Sequence, residues 1–297
     1  MSIRTVSCVI TIVLLLASQP IAANATAAAY DAIFVFGDSY CDVGNVFIVT
    51  GGARPAAPYF NGRFSDGPLW VDHIASARNL PIAPALAGGT DYAFGGAHVT
   101  GPVPTPFGNI PSVPQQVLLY LSQHGGKADP NALYIIEGGG DDIVDAAGVG
   151  SPQQLGFQIA LGISTAELLL RRAGAKNFLI PNLFDISILP VAKPNAAFAH
   201  QATLAANKSL DDLLFVEQLL QGIRIRRINA FTLFQSVVAD ATHFGFVDIT
   251  TPCFDGVNPP CADPDHRLFW DDLHPTVFGH SFFAVLVEAA LSQSIHN

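Results

Sequence analysis

Short apolar segments recur along this chain, and longer amphipathic segments separate them. Four of the short segments predict β-strands, at residues 33–36, 133–136, 177–180 and 223–228. The first two are clean apolar runs that end just before a glycine-containing turn, as is typical of strands buried inside a sheet. A further segment, 90–94, predicts a fifth, shorter strand.

The longer segments predict helices. Residues 152–172 form the clearest of these, because Ser151 precedes them as an N-cap and Gly174 follows their end. The other predicted helices are 68–79, 114–124, 195–221, 231–243 and 275–294, and the predicted loops include 45–58, 102–114 and 245–264. Strands that alternate with helices indicate an α/β fold, with a parallel sheet covered on both faces and ligands at the carboxyl ends of its strands.

Composition narrows the class of protein. Half of the 297 residues are apolar and 13% are charged, which suits a chain that buries a large core and argues against disorder. The formal net charge is −10, so nucleic acid and anionic membranes are disfavoured as partners. No internal repeat or low-complexity linker divides the chain, and we expect one domain over residues 26–297.

The first 25 residues have the pattern of a signal peptide. Arg4 precedes an apolar run at 9–17, and Ala23-Asn24-Ala25 forms a small-x-small cleavage site. The run is shorter than the ~20 residues that span a bilayer, and no later stretch is long and apolar enough. We therefore expect cleavage near Ala25 and export, to the outside or to the periplasm, with no integral membrane span.

The first candidate for chemistry follows the first predicted strand. Gly37 breaks the apolar run, and Asp38 and Ser39 then favour a tight turn that leads into a helix. A serine at the tip of such a corner suits a nucleophile, because helix amides beside it can receive negative charge. The local sequence is equally compatible with a simple helix cap.

The whole segment F-x-F-G-D-S-x-x-D-x-G-N at 34–45 resembles the first sequence block of the GDSL esterase/lipase family, also called SGNH hydrolases. The residues Asp42, Gly44 and Asn45 fit this block together with the Gly-Asp-Ser triplet. This resemblance implies that Ser39 is the catalytic nucleophile.

A second block lies near the other end of the chain, at Phe269–Thr276. Its D-x-x-H spacing allows a short turn to place a carboxylate beside an imidazole, which fixes the ring for proton transfer. The block also resembles the FWDxxHPT block of the same family, which implies that Asp271 is the acid and His274 the base. The neighbouring Asp272 is not chosen, and a plain helix start is the alternative.

Three backbone or side-chain donors form the oxyanion hole in this family. The resemblance implies the amide of Ser39 and the amide of Gly96, with Gly95 as the alternative. Asp141 stands where the family has its donor asparagine, and an ionised carboxylate cannot donate. Either Asp141 is protonated and donates, or it turns away and two donors suffice. Asp66 and Asp91 likewise replace family asparagines.

The four cysteines and the acidic C-terminal segment are the remaining candidates. Cys8 leaves with the signal peptide, Cys253 and Cys261 flank a polar loop and are expected to form a disulfide, and Cys41 is expected to remain a packed thiol. The acids and histidines at 263–274 match no standard zinc spacing. No dinucleotide or metalloprotease motif occurs, so we expect no metal and no cofactor.

The family resemblance implies a three-layer α/β/α sandwich with a central parallel sheet, similar to flavodoxin. It implies a secreted serine esterase or lipase that cleaves acyl esters of small molecules or lipids through an acyl-enzyme. Three alternatives remain: an acyltransferase with the same residues, a carbohydrate O-deacetylase, and a binding protein with a disabled site. Neither the acyl chain length nor the oligomeric state follows from the sequence.

Overall fold

The structure is a computed structural model that describes residues 30–219 and 222–292. The predicted signal peptide, residues 1–25, therefore lies outside the described residues. Within the described part of the chain, no helix has both the length and the apolar character needed to cross a membrane.

The strands form one central sheet and one small hairpin. In chain order they are β1 (Ile33–Phe36), β2 (Val103–Thr105), β3 (Gly108–Ile110), β4 (Leu133–Ile136), β5 (Asn177–Pro181) and β6 (Arg224–Ile228). The central sheet is entirely parallel and has the order β1-β4-β5-β6, and the hairpin pairs β2 with β3 in antiparallel orientation. The four predicted strands are thus present and lie side by side in one sheet.

Eight α-helices connect and cover these strands in the described residues. They are α1 (Asn45–Val49), α2 (Trp70–Ala77), α3 (Val113–Gln123), α4 (Gly140–Asp145), α5 (Pro152–Arg172), α6 (Ala196–Gln218), α7 (Ala230–Ala239) and α8 (Val277–Ser292). Helix α5 begins as predicted, because the hydroxyl of Ser151 accepts a hydrogen bond from the amide of Gln154.

Alternation along β1 shows how the layers are built. Ile33 and Val35 face one hydrophobic core with α2 and α8, whereas Phe34 and Phe36 face a second core with α3, α5 and α6. All four side chains are buried. A strand buried on both faces is what a parallel sheet between two helical layers requires. The architecture is the predicted three-layer α/β/α sandwich.

Four predictions of local structure differ from the structure. The loop predicted at 45–58 contains the short helix α1, and the loop predicted at 102–114 contains the hairpin β2–β3. The strand predicted at 90–94 does not form, although Asp91 makes an isolated parallel bridge with Val35 at the outer side of β1. The helix predicted at 231–243 ends at Ala239 and continues as a separate 3₁₀ turn.

Candidate active site

The turn that carries Ser39 follows β1 at the carboxyl edge of the sheet. Gly37 is held there by Gln116, which accepts from its amide at 2.9 Å and donates to its carbonyl at 2.8 Å. The amide of Cys41 then bonds the carbonyl of Asp38, which closes a single turn with Ser39 at its tip. The expected helix does not start here: α1 begins only at Asn45, so Ser39 lies on an isolated turn.

Ser39, His274 and Asp271 form a continuous hydrogen-bonded chain. The Nε2 atom of His274 lies 2.8 Å from Oγ of Ser39, and its Nδ1 atom lies 2.7 Å from Oδ2 of Asp271. All three residues are less than 9% exposed. The structure thus brings together three residues that the sequence singled out at opposite ends of the chain.

The D-x-x-H turn is closed by the carboxylate itself. Oδ1 of Asp271 accepts from the amides of Leu273 and His274, at 2.8 and 2.6 Å. Oδ2 of Asp271 also accepts from the phenol of Tyr59, at 2.7 Å. Burial raises the pKa of Asp271, but the attraction of His274 and these hydrogen bonds outweigh it and lower the pKa from 3.8 to about 2. The carboxylate is therefore ionised at neutral pH.

Tyr59 is a site residue that sequence reasoning missed. It lies 212 positions from Asp271 along the chain, in a stretch with no recognisable pattern. Phe64, in the turn that follows, packs its ring 5.1 Å from the imidazole of His274. No local signal could have revealed either contact, because both depend on how distant loops fold over the sheet edge.

The turn at 61–67 also anchors the segment after His274. The hydroxyl of Ser65 donates to the carbonyl of Pro275 at 2.9 Å, and Oδ1 of Asp66 accepts from the amide of Val277 at 2.7 Å. Asp66 therefore caps the start of α8 from a distant part of the chain. One acceptor oxygen is enough for this task, and an amide side chain would supply it as well.

The two glycines Gly95 and Gly96 differ in hydrogen bonding. The amide of Gly95 donates to Oδ2 of Asp42 at 2.9 Å. Within residues 30–219 and 222–292, the amides of Ser39 and Gly96 have no protein acceptor. Gly96 has a φ of 78°, a left-handed conformation that favours glycine. Two unpaired amides thus face the same cleft as the Ser39 hydroxyl.

Two buried acids fix the first block, at 34–45, against the segment at 91–95. Asp42 accepts from the amides of residues 44–46 and of Gly95, and Asp91 accepts from the amide of Val43 at 2.7 Å. Both acids are fully buried. Burial raises the pKa of Asp42 to about 6, although its backbone hydrogen bonds oppose the rise, and burial beside Asp42 raises that of Asp91 well above its usual value.

Asp141 lies in the first turn of α4, which follows β4, and it lines the same cleft as Ser39 and His274. Its Oδ2 atom is buried and has no hydrogen-bond partner among the described residues. Burial, and then the charge of Asp38, raise the pKa of Asp141 well above its usual value. Asp38 contributes more than Asp142, although Asp142 is the next residue in the sequence.

The cleft above Ser39 has a volume of about 430 Å³. Helix α1 forms one wall through Val46 and Val49, and the hairpin forms another through Phe107 and Ile110. Phe107 is 53% exposed at the hairpin tip. Both walls are elements that the sequence predicted as loops, so the shape of the cleft could not have been inferred.

The predictions for Cys41, Cys253 and Cys261 are confirmed, and Cys8 lies outside the described residues. Cys253 and Cys261 form a disulfide, and Cys41 is a buried free thiol. Next to the bridge, the amide of Cys253 bonds the carbonyl of Phe269 at 3.0 Å, which ties the bridged loop to the segment that leads to Asp271. In the described residues, no group of three or more His, Cys, Asp or Glu side chains is arranged to hold a metal ion.

Two relatives and one solved structure show what the chain is similar to. A thermolabile hemolysin from Vibrio parahaemolyticus is 26% identical over 274 residues, which cover 85% of this chain and 62% of the hemolysin. A phosphatidylcholine-sterol acyltransferase from Aeromonas hydrophila is 26% identical over 230 residues, which cover 77% of this chain and 67% of the relative. The chain thus spans less than two thirds of the hemolysin.

The acetylxylan esterase Axe2 from Geobacillus stearothermophilus has a similar structure, with a TM-score of 0.50 and 12% identity over 91% of this chain and 98% of that one. At this identity the likeness concerns the fold, and it agrees with the three-layer sandwich. The family model described as GDSL-like Lipase/Acylhydrolase matches residues 33–287, which include both sequence blocks. The chain therefore belongs to the GDSL-like lipase/acylhydrolase family.

Proposed function

We propose that this chain is a secreted serine esterase or lipase that hydrolyses carboxylic esters through an acyl-enzyme, with Ser39 as nucleophile, His274 as base and Asp271 as acid. One observation carries the proposal: the hydrogen-bonded chain from Ser39 through His274 to Asp271 opens onto a cleft. Family membership supports ester hydrolysis in general. The reaction uses only side chains and water, so we expect no cofactor.

The hydrogen-bonded chain supports the following proton path. With its proton on Nδ1, His274 donates a hydrogen bond to Asp271, and the lone pair on Nε2 points at the Ser39 hydroxyl. As Oγ forms its bond to the ester carbonyl carbon, its proton passes to Nε2. His274 then returns the proton to the leaving alkoxide as the C–O bond breaks. In the second half, His274 takes a proton from water as the water oxygen attacks the acyl carbon. The bond from the acyl carbon to Oγ then breaks, His274 returns the proton to Oγ, and the acid product leaves with Ser39 and His274 restored.

The amides of Ser39 and Gly96 are proposed as the backbone donors of the oxyanion hole. The side chain of Asp141 is proposed as the third group that lines it. Both amides are unpaired among the described residues and line the cleft beside the Ser39 hydroxyl. The alternative, Gly95, is disfavoured because its amide already donates to Asp42. Removal of one such donor typically costs about 10²–10³ in kcat.

Active-site labelling tests this proposal directly. A fluorophosphonate reagent should label wild-type protein at Ser39 and should not label Ser39→Ala, and the Ser39→Ala variant should lose ester turnover. Ser122→Ala is the matched control, because Ser122 is exposed on α3 and its loss should change neither result. Labelling that persists in Ser39→Ala would assign the nucleophile elsewhere. Absence of labelling in the wild type would favour a binding protein with a disabled site.

An acyltransferase is the second candidate, because a relative aligned over most of this chain bears that name. The same residues would serve, and an alcohol would replace water in the second half of the reaction. Product analysis with and without an acceptor alcohol separates the two. A carbohydrate O-deacetylase is less well supported, since the likeness to the acetylxylan esterase concerns the fold and apolar side chains line the cleft walls.

We further propose that residues 1–25 are a cleaved signal peptide and that residues 26–297 form one exported domain. The disulfide supports this, because such bonds persist in oxidising compartments. N-terminal sequencing of protein recovered outside the cytoplasm should begin near residue 26. A mature chain that still begins at Met1 would contradict export through a cleaved signal.

A further inference from the structure

Asp141 lies between two cavities and lines both of them. On one side it lines the cleft with Ser39, Gly96 and His274. On the other side it lines an internal cavity of about 40 Å³ together with Asp38 and other residues of the sheet edge. Its Oδ2 atom is buried and has no partner in the described part of the chain. A buried carboxyl oxygen without a donor is costly if it carries charge.

The acids on the same helix are arranged differently. Asp142 accepts from the amides of Val99 and Thr100 and from the Thr100 hydroxyl, and Asp145 pairs with His98 at 2.9 Å. Both carboxylates therefore accept hydrogen bonds. Oδ2 of Asp141 has no such donor among the described residues, so no hydrogen bond there stabilises a charge on this oxygen.

We propose that Asp141 remains protonated during catalysis and donates its O–H to the substrate oxyanion, and that the buried charge of Asp38 keeps it protonated. The inference rests on the proposed function of the Ser39 site. No proton is transferred in this role: the acid donates a hydrogen bond while the oxyanion exists and keeps its proton throughout. A neutral carboxylic acid that donates into an oxyanion hole has a precedent in another enzyme class.

Asp38 is the acid that ionises first in the buried cluster. Its carboxylate accepts from the amide of Tyr40 at 3.0 Å and from the side chain of Glu137. Burial raises the pKa of Asp38, but these two hydrogen bonds and the attraction of His274 oppose the rise. Glu137 accepts only a weak hydrogen bond from the Cys41 thiol, and burial together with the charge of Asp38 raises its pKa well above the usual value. A second charge on Asp141 would then face Asp38 in a site shielded from water.

Several other titratable groups face this cluster. The turn that carries Ser39 contributes Tyr40 and Cys41, and α4 contributes Asp142 and Asp145. The loop before α8 contributes Asp271 and His274, and α8 itself contributes His280. Burial lowers the pKa of His280 to about 3, so it brings no positive charge to the cavity at neutral pH. The charges that act on Asp141 come from the acids Asp38, Asp145 and Asp142, and each of them disfavours its ionisation.

The pH dependence follows from two opposite requirements. His274 must be unprotonated to act as a base, so activity falls at acid pH. Asp141 must be protonated to donate, so activity also falls as the pH rises through the pKa of Asp141. The expected kcat profile is a bell whose alkaline limb belongs to Asp141.

Asp141→Asn and Asp141→Ala test the role by comparison with the wild type. Asparagine donates at every pH, so Asp141→Asn should match the wild type near neutral pH and lack the alkaline limb. Alanine cannot donate, so Asp141→Ala should lose about 10²–10³ in kcat near neutral pH. Asp212→Asn is the matched control, since that acid is on α6 with a 67% exposed side chain, lines neither cavity and should leave the profile unchanged. Wild-type kcat in Asp141→Ala would overturn the proposal.

A measurement independent of activity decides the protonation state. The infrared difference spectrum between the wild type and Asp141→Asn at neutral pH should contain a protonated carboxylic acid band. A carboxylate band instead would overturn the proposal, even if Ser39 is labelled and esters are hydrolysed. Asp38→Asn removes the negative charge that keeps Asp141 protonated, so the alkaline limb of the kcat profile should move to lower pH. An alkaline limb that stays in place would refute the role given to Asp38.

Discussion

Asp271→Asn changes one atom in the proposed triad, and the structure shows what that atom does. Oδ1 of Asp271 accepts two backbone amides, so the oxygen of an asparagine must keep that position. The new NH₂ group then replaces Oδ2, which faces Nδ1 of His274 and the phenol of Tyr59 at 2.7 Å each. An NH₂ group donates to Nδ1 and drives the proton of the ring to Nε2.

That tautomer cannot act as a base, because Nε2 then carries a proton that points at Ser39. The expected loss in kcat is about 10⁴, the size seen when a triad acid becomes its amide. The change should also cost stability. The pKa of Asp271 falls from 3.8 to about 2 on folding, which corresponds to about 2 kcal/mol of unfolding free energy at neutral pH. Because the folded pKa is depressed, this contribution is complete above the unfolded pKa and disappears as the pH falls towards 2.

The assay is kcat and KM on a p-nitrophenyl ester, with urea denaturation of the same samples. Asp272→Asn is the matched control, because its side chain is exposed and only its backbone carbonyl is engaged, by the amide of Val191. Its kcat and unfolding free energy should stay near the wild-type values. Equal small losses in the two variants would refute the assignment of Asp271. A loss in Asp271→Asn that appears only in KM would refute the tautomer argument.

Three further predictions concern other parts of the molecule. Ser39→Ala should abolish ester turnover without lowering the unfolding free energy by more than about 1 kcal/mol, and wild-type turnover would contradict the mechanism. Val49→Trp should lower the hydrolysis rate of long-chain p-nitrophenyl esters by about fourfold for each methylene kept out of the cleft, and it should leave the rate on p-nitrophenyl acetate unchanged. Val149→Trp is the control, because this position is 78% exposed and lies away from the cleft. An equal loss of rate on long-chain and acetate esters would exclude acyl binding beside Val49. Replacing Cys253 and Cys261 together by serine should lower the unfolding free energy by about 2–3 kcal/mol, because their bridge closes a short loop, and an unchanged urea midpoint would show otherwise.

The sequence predicted the elements whose cues are local. Strands β1 and β4 and helix α5 have the predicted bounds, because apolar runs and the cap at Ser151 depend on neighbouring residues alone. The two terminal blocks were recognisable for a similar reason. Each is a short segment in which a turn must hold a reactive side chain, so its glycines, acids and histidine occur at fixed spacing.

The walls of the cleft could not be predicted in this way. Helix α1 has only five residues and starts because the carboxylate of Asp42 accepts amides at its N-terminus. The hairpin contains Pro104 and Pro106, which disfavour strands, and the hydroxyl of Thr105 bonds the carbonyl of Gly108 across its turn. Such elements form because the rest of the fold positions them, and their local propensity is weak.

The hydrogen bond between Ser39 and His274 joins positions 235 residues apart. Loop-closure entropy grows with the logarithm of length, so this closure costs only about 2 kcal/mol more than a loop of about 20 residues. The long separation matters more for the order of folding events than for stability, because contacts that are distant in sequence form after local ones. Helices such as α5 can be complete while the two residues are still apart. Catalytic competence is therefore a late property of the folding chain, and its recovery after dilution from denaturant reports the docking of the chain's two distant segments rather than the return of secondary structure.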